Sequence, residues 1–272
     1  MKDEYNLNKK EIVKQNLSRF FAFLKNEKKA VSFQKKLSCF SEARQMCDGY
    51  EAETIFDKVK NAVLEVKAGN AYYERDGCLF YEKDYYLQLI AVLFTIFFDQ
   101  EKLNIIDFGG SLGSMYYQNK DMLIPFINNL TWNIVEQRHF VEWGGANLED
   151  DILKFYYSVD EIEDCNCVIF GSSLQYLEDY EEYLEKISQR RYKYIILDRT
   201  AVCDEEWFSI EVVHEPIYEA KYPVHVFRED ELILLFKGLG YGLNLQWVKD
   251  FSEIFVVGDK VVRQKSFLFV LE

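Results

Sequence analysis

Hydrophobic positions recur at helical spacing through the first third of the chain. Residues 10–36 carry an apolar stripe three and four residues apart, formed by Ile12, Val13, Leu17, Phe20, Phe21 and Leu24. The same spacing predicts further helices over about 52–69 and about 84–99. No strand-like alternation precedes residue 100. We therefore predict that residues 1–100 form a helical N-terminal cap or lid.

The pattern changes at residue 103, where short apolar runs begin to alternate with helical stretches. The runs predict strands at 103–108, 132–136, 153–158, 167–171, 194–198, 243–248 and 266–271. The segments between them predict helices at about 114–128, from about 138, at 180–188 and at 229–239. Such alternation is typical of an open parallel sheet with helices on both faces. Residues 101–272 are therefore predicted to form an α/β domain with a Rossmann-like, seven-stranded, mostly parallel sheet and an antiparallel C-terminal strand.

A glycine-rich turn directly follows the strand predicted at 103–108. Glycines allow a sharp turn and a close approach of the backbone to a ligand, and the helix that follows offers unpaired N–H groups. A dinucleotide-binding loop has the spacing G-x-G-x-x-G. Counted from Gly109, that spacing requires glycine at positions 111 and 114, and both are serine. The loop therefore does not match a dinucleotide site.

Two carboxylates flank this turn. Asp107 precedes it, where it suits a ligand with an ammonium group and would repel a pyrophosphate. Glu136 ends the next strand, where a carboxylate can accept both hydroxyls of a ribose. S-adenosylmethionine carries both groups, so this arrangement predicts a site for it. The alternative is an ordinary strand-to-helix turn with an acid beside it by chance.

A series of motifs between residues 38 and 272 gives the chain a family resemblance. They are Gly49-Tyr50, Tyr73-Glu74-Arg75-Asp76, the loop 107–114, Val135-Glu136-Gln137, His139-Phe140, residues 173–179, Asp198-Arg199-Thr200, Ile217-Tyr218 and Tyr222-Pro223. In this order they resemble the methyltransferases encoded in bacterial surface-polysaccharide (O-antigen and capsule) gene clusters. The resemblance implies a class I methyltransferase fold, S-adenosylmethionine as cofactor and S-adenosylhomocysteine as product. The gene context implies a hydroxyl or amine of a sugar or nucleotide-linked sugar as acceptor.

The chain departs from that family at two positions. Ser111 replaces the middle glycine of the usual loop, which is tolerable if its backbone dihedrals are ordinary. His225 stands where the family usually has a tryptophan, which puts the acceptor pocket in question.

The predicted site residues follow the carboxyl ends of the strands, where open α/β sheets bind ligands. The predicted cofactor residues are Asp107, Phe108, Gly109, Gly110, Ser111, Gly113, Glu136, Gln137, Ser158, Gly171 and Ser172. The predicted substrate residues are Tyr73, Arg75, Gln175, Tyr218 and Tyr222. The predicted catalytic residues are Tyr176, Arg199 and His225, since histidine is a natural proton acceptor near neutral pH.

Alternatives remain open for two of these residues. Tyr176 could instead pack in the core, and Arg199 could either hold an acidic acceptor or form a structural ion pair with Asp198. No His, Asp or Glu cluster has metal-ligand spacing, so no metal is predicted.

The charge of the chain limits its partners. A net charge of −14 argues against nucleic-acid binding, whereas residues 1–37 carry a local charge of +6. That segment could contact an anionic membrane surface or an acidic partner, or be a solvated helix face. The longest apolar run is too short to span a bilayer and the N-terminus has no signal-peptide core, so a cytoplasmic location is expected. The alternative to an enzyme is a catalytically inactive methyltransferase fold that serves as a scaffold in polysaccharide assembly.

Overall fold

The structure is a computed structural model that describes residues 31–34, 36–47, 53–214, 217, 219–249 and 254–272. Most of the helix predicted over 10–36, and with it most of the basic segment, lies outside these residues. At the end of that segment the prediction is wrong, because Val31–Phe33 is a strand. Within the described residues, no helix is both long and apolar enough to cross a membrane.

Three short strands lie in the first third of the chain, contrary to the prediction that none precedes residue 100. They are β1 (Val31–Phe33), β2 (Tyr73–Arg75) and β3 (Cys78–Phe80), and three residues are too few for alternation to stand out. β2 and β3 pair as an antiparallel hairpin. The helices of this region are α1 (Phe40–Gln45), α2 (Glu53–Lys67) and α3 (Leu87–Gln100), so the two predicted helices are confirmed to within a few residues.

The second part of the chain alternates strands and helices as predicted. The strands of its parallel core are β4 (Leu103–Phe108), β5 (Leu130–Val135), β6 (Leu153–Tyr156), β7 (Cys167–Gly171) and β8 (Tyr194–Cys203). The α-helices described in this part of the chain are α4 (Ser114–Leu123), α5 (Arg138–Asn147), α6 (Tyr180–Gln189) and α7 (Glu229–Gly238). Neighbouring side chains of β4 enter opposite layers: Ile105 packs in the core with α2 and α3, and Ile106 in the core with α6 and α7.

The strand order defines the fold class. The remaining strands are β9 (Trp207–Val213), β10 (Ala220–Arg228), β11 (Tyr241–Trp247), β12 (Ile254–Val257) and β13 (Lys260–Leu271). Seven strands lie side by side in the order β6-β5-β4-β7-β8-β13-β11, and β13 runs antiparallel to both of its neighbours. The predicted seven-stranded, mostly parallel sheet of a class I methyltransferase fold is thereby confirmed.

Further strands enlarge this sheet to eleven strands within the described residues, more than the seven predicted. β10 joins the far end of β8 through Phe227 and Arg228, β9 pairs antiparallel with β10, and β1 pairs with β9. This extension stands beyond the carboxyl end of β8. It therefore forms a wall next to the strand ends where a ligand of an α/β sheet is expected.

Candidate active site

One cavity of about 1450 Å³ lies at the carboxyl ends of β4, β5, β7 and β8. Most of the predicted site residues line it together. They are Arg75, Asp107, Phe108, Gly109, Gly110, Ser111, Glu136, Gln137, Ser158, Gly171, Ser172, Tyr176, Arg199 and Tyr222. Residues far apart in the sequence thus meet at one site. Tyr218 lies outside the described residues.

The glycine loop forms a tight bend between β4 and α4. Gly109 and Gly113 have positive φ angles of 71° and 91°, which glycine adopts without a steric cost. The Gly109 N–H donates to the Val135 carbonyl at 2.9 Å, and this bond ties the loop to β5. A Cβ atom on Gly110 would stand 2.6 Å from Cγ of Asp107, so the loop backbone packs directly on that carboxyl group.

Ser111 departs from its expected conformation. Its φ is 54°, in the left-handed region, so the expectation of ordinary dihedrals is wrong. That region costs a residue with a Cβ atom roughly 1–2 kcal/mol. Its N–H lies near enough to the Glu136 carboxylate to lower the pKa of that group.

The two flanking carboxylates line the same cavity. Phe108 pairs with Val135 in the parallel ladder, so Asp107 and Glu136 stand near the ends of adjacent strands. Asp107 is 1% exposed and accepts a hydrogen bond from Nε1 of Trp132 at 3.0 Å. Burial raises its pKa to about 7, and the Trp132 bond opposes the rise.

Glu136 is less enclosed than Asp107 and has a backbone donor beside it. Its carboxylate accepts the N–H group of Gln137 at 2.5 Å. Burial raises the pKa of Glu136, and the nearby backbone N–H groups of Gln137 and Ser111 oppose that rise. The pair therefore offers carboxylate oxygens at two points of one cavity.

The β2–β3 hairpin is fastened to the first turns of α4. Glu74 is fully buried and accepts hydrogen bonds from the Ser114 hydroxyl and from the Gly77 N–H. Burial raises the pKa of Glu74 to about 7. Arg75, the next residue, donates to Oε1 of Gln118 at 2.9 Å and lines the cavity.

Tyr73 differs from Arg75 in its placement. Its ring stacks on Phe80 at 4.4 Å between centroids, and it lines a separate cavity of about 230 Å³. The structure therefore does not bring Tyr73 to the main site with the other predicted substrate residues.

Tyr176 and Glu211 form a hydrogen-bonded pair at the end of the cavity next to β9. The Tyr176 hydroxyl donates to Oε2 of Glu211, which is 4% exposed in the middle of β9. Burial raises the pKa of Glu211 to about 7 and that of Tyr176 well above its ordinary value. Both residues line the cavity, so the predicted position of Tyr176 at the site agrees with the structure, although the ring also packs against the core.

Sequence reasoning missed Glu211 altogether. Its only signal was a lone acid inside the apolar run Ile210 to Val213. The structure also adds Tyr86, which lines the cavity and donates to Oδ1 of Asp198 at 2.6 Å.

Arg199 combines the two alternatives left open by the sequence. Its Nε donates to Oδ2 of Asp198 at 2.9 Å, so the ion pair exists. The side chain is nevertheless 20% exposed and lines the cavity. Its φ of 51° is left-handed, a strained conformation that recurs at functional sites.

His225 does not line the cavity, so the structure does not bring it together with Tyr176 and Arg199, the other residues predicted to be catalytic. Its ring lies 4.0 Å from that of Phe227 and 4.6 Å from that of Phe208, centroid to centroid, and Nε2 contacts Glu206 at 2.6 Å. Burial lowers its pKa, against the pull of the Glu206 carboxylate. The residue packs inside the β9–β10 wall, where it is paired with Phe208 of β9.

Two further predicted residues support the site without lining it. Gln175 is fully buried and donates to Oγ of Ser172 at 3.1 Å and to the Arg199 carbonyl at 3.3 Å. Gly113 precedes the first residue of α4 and allows the loop to enter the helix.

Comparison with known proteins gives similarities of fold only. No family model matches the chain, and no curated protein matches it either. Among solved structures, the chain is similar to the N-terminal domain of EvdMO1 in the presence of SAH and D-fucose, at 10% identity, TM-score 0.46, over 82% of this chain and 97% of that one. It is also similar to CalS10, an amino pentose methyltransferase from Micromonospora echinaspora, at 9% identity, TM-score 0.45, over 70% and 92% of the two chains. At this level the likeness adds nothing to the functional argument, which rests on strand order and site geometry.

Proposed function

We propose that the protein transfers a methyl group from S-adenosylmethionine to a small-molecule acceptor. The observation that carries this proposal is that Asp107 and Glu136, at the ends of adjacent strands, line one cavity on either side of a tight glycine bend. An ordinary strand-to-helix turn has no need of two half-buried or buried carboxylates that face a common space.

The residues present fit the cofactor by their chemistry. Asp107 accepts a single hydrogen bond, on Oδ2, from Trp132 and so retains acceptor capacity for an ammonium group. Glu136 suits the two ribose hydroxyls, and Gly171 and Ser172 border the same space from β7. When bound, S-adenosylmethionine would supply a methyl group on a positively charged sulfur. In this proposal residues 1–100 serve as a cap, with the β2–β3 hairpin closing one side.

The Tyr176–Glu211 pair is suited to hold the acceptor and take its proton. A hydroxyl or ammonium acceptor must lose a proton during methylation, and a base with a pKa near the working pH does this best. Burial brings the pKa of Glu211 to about 7, and the Tyr176 hydroxyl keeps one of its oxygens oriented. Tyr176 and Tyr222 add aromatic surface with polar tips, which suits a hydroxylated molecule such as a sugar.

We propose that the acceptor is a hydroxyl or amine of a sugar or nucleotide-linked sugar. We also propose that the reaction belongs to bacterial surface-polysaccharide synthesis and takes place in the cytoplasm. The motif resemblance supports this choice, and the mixture of tyrosines and acids at the β9 end of the cavity is compatible with it.

A methyl-transfer assay separates this function from the scaffold alternative. Purified protein is incubated with methyl-labelled S-adenosylmethionine and a panel of sugars and nucleotide sugars, and labelled products are identified by mass spectrometry. The proposal expects transfer to at least one acceptor, with transfer lost in Asp107→Ala. Binding of S-adenosylhomocysteine without transfer to any acceptor would favour a scaffold.

A further inference from the structure

Two arginines lie near each other on the wall of the cavity. Arg75 comes from β2 and Arg199 from β8, and both line the same space. Burial lowers the pKa of Arg75, and the positive charge of Arg199 lowers it further. Like charges brought together in this way are unfavourable unless something between them is negative.

Arg75 has no acidic partner within the described part of the chain. Its hydrogen bond goes to the neutral amide of Gln118, and no carboxylate lies within ion-pair distance. Asp76 is the neighbouring acid and lines the same cavity, yet it makes no ion pair with Arg75. A half-buried guanidinium without a carboxylate beside it carries a free-energy cost.

One acid neutralises the other arginine. Asp198 pairs with Nε of Arg199, while its second oxygen accepts the hydroxyls of Tyr86 and Ser266. These three donors leave Asp198 little capacity for Arg75. Asp198 is therefore committed to Arg199 and to these hydroxyls, and Arg75 stays without a paired carboxylate among the described residues.

We propose that Arg75 and Arg199 jointly bind one anionic group, a carboxylate or a phosphate, inside the cavity. The planar fork of a guanidinium matches both groups. The net charge of −14 repels anions in general, so an anionic ligand needs a local positive site of this kind. The rest of the wall carries the acids Asp107, Glu136 and Glu211, and two further cations that line it, Arg44 and Lys186, are paired with Glu178 and Asp160. An anion in the cavity is therefore directed to Arg75 and Arg199.

This inference rests on the proposed function, which offers two sources for the anion. One source is the methionyl carboxylate of the cofactor. The other is an acidic group on the acceptor, such as a uronate or a sugar phosphate, which would narrow the acceptor class.

Calorimetry with matched ligands distinguishes the two sources. The first titrations use S-adenosylhomocysteine and its decarboxylated analogue. The second use protein saturated with S-adenosylhomocysteine, into which glucuronate and glucose 1-phosphate are titrated, with glucose as the neutral control. If the anion is the methionyl carboxylate, Arg75→Gln weakens S-adenosylhomocysteine about 10-fold or more and leaves the decarboxylated analogue unchanged. If it belongs to the acceptor, Arg75→Gln and Arg199→Gln weaken the charged sugars by a similar factor and leave S-adenosylhomocysteine unchanged.

Two control variants separate the guanidinium of Arg75 from positive charge in general. Arg138→Gln removes an exposed guanidinium on α5 and should change no affinity, and Arg75→Lys should recover only part of the lost affinity because it lacks the fork. If S-adenosylhomocysteine fails to bind the wild type, the proposed function fails, and glucose 1-phosphate titrated into the ligand-free protein still tests the arginines. Folded Arg75→Gln and Arg199→Gln variants that bind every anionic probe as tightly as the wild type would overturn the inference.

Discussion

Tyr176 donates its hydroxyl hydrogen to Glu211, and this bond joins the turn after β7 to the middle of β9. It connects the strand ends of the parallel core to the added wall of β9 and β10. A carboxylate held in this way, without a cation beside it among the described residues, carries a free-energy cost when it is ionised. This cost should appear in the pH dependence of stability and in the pKa of Glu211.

Stability should fall as Glu211 ionises. Its pKa is about 7 in the folded protein against an ordinary 4.5, so the folded state binds the proton more tightly than the unfolded state. The free energy of unfolding should therefore decrease as the pH rises from about 4.5 through 7. Glu211→Gln should remove part of that decrease, so that the variant gains roughly 1–3 kcal/mol relative to wild type at pH 8 and little at pH 4.5. Urea unfolding of both proteins at pH 4.5 and pH 8 measures this. If the free energy of unfolding changed by the same amount between the two pH values in wild type and in Glu211→Gln, the prediction would be refuted.

The pKa of Glu211 should respond to Tyr176. The Tyr176 hydroxyl bond lowers the pKa of Glu211, so Tyr176→Phe should raise it further. Carbon-13 NMR of glutamate-labelled protein follows the carboxyl titration, and the Glu211 signal is assigned by its absence in Glu211→Gln. Tyr183→Phe, at another part of the cavity, is the matched control and should leave the titration in place. A Glu211 signal with a midpoint at 4.5 would contradict the account.

Gly110 should not tolerate a side chain. A Cβ atom there would lie 2.6 Å from Cγ of Asp107 and 2.8 Å from Cδ1 of Ile134, so the carboxyl group would have to move. Gly110→Ala should lower the melting temperature and weaken S-adenosylhomocysteine at least about 10-fold. Gly145→Ala is the control, because its Cβ meets only the flexible end of Glu149 and alanine favours the helix by up to about 1 kcal/mol. Equal affinity in the two variants would show that the loop does not position Asp107.

His225 should matter for stability and not for ligand binding. Its ring packs between Phe208 and Phe227 and contacts Glu206, away from the cavity. His225→Gln should therefore lower the free energy of unfolding by roughly 1–3 kcal/mol and leave the affinity for S-adenosylhomocysteine unchanged. Calorimetry of S-adenosylhomocysteine binding to the folded variant checks this. A large loss of affinity would show that His225 takes part in ligand binding.

The parallel core could be predicted because its strands are buried on both faces. Leu103–Phe108 and Cys167–Gly171 are short, mostly apolar runs, and the structure has them at the predicted bounds. The Asp107 and Glu136 arrangement followed from the same pattern, since strand ends of a parallel sheet share one edge. The local sequence was therefore enough to predict most of the residues in the part of the cavity proposed for the cofactor.

The wall of β9 and β10 was not predicted, although its two strands are consecutive and pair antiparallel across residues 214–219. Pro223 interrupts the second of these strands, and proline argues against a central strand. In the structure β10 pairs with β8 only through Phe227 and Arg228. Pro223 therefore pairs with β9 on one side and does not pair with β8 on the other. The pairing of β9 with β10 puts Tyr222 opposite Glu211, and Tyr176, far from both in the sequence, reaches Glu211 from the turn after β7. The β9 side of the site is therefore a product of tertiary structure.

The most direct test of the central claim is calorimetric titration of S-adenosylhomocysteine into wild type, Asp107→Ala, Glu136→Ala and Glu142→Ala. Glu142 is an exposed carboxylate on α5 and serves as the matched control. The account predicts a micromolar affinity for the wild type and for Glu142→Ala, and a loss of about 1–3 kcal/mol, roughly 5- to 150-fold in Kd, for each of the other two. No heat of binding with folded wild type, or equal affinity in all four proteins, would contradict it.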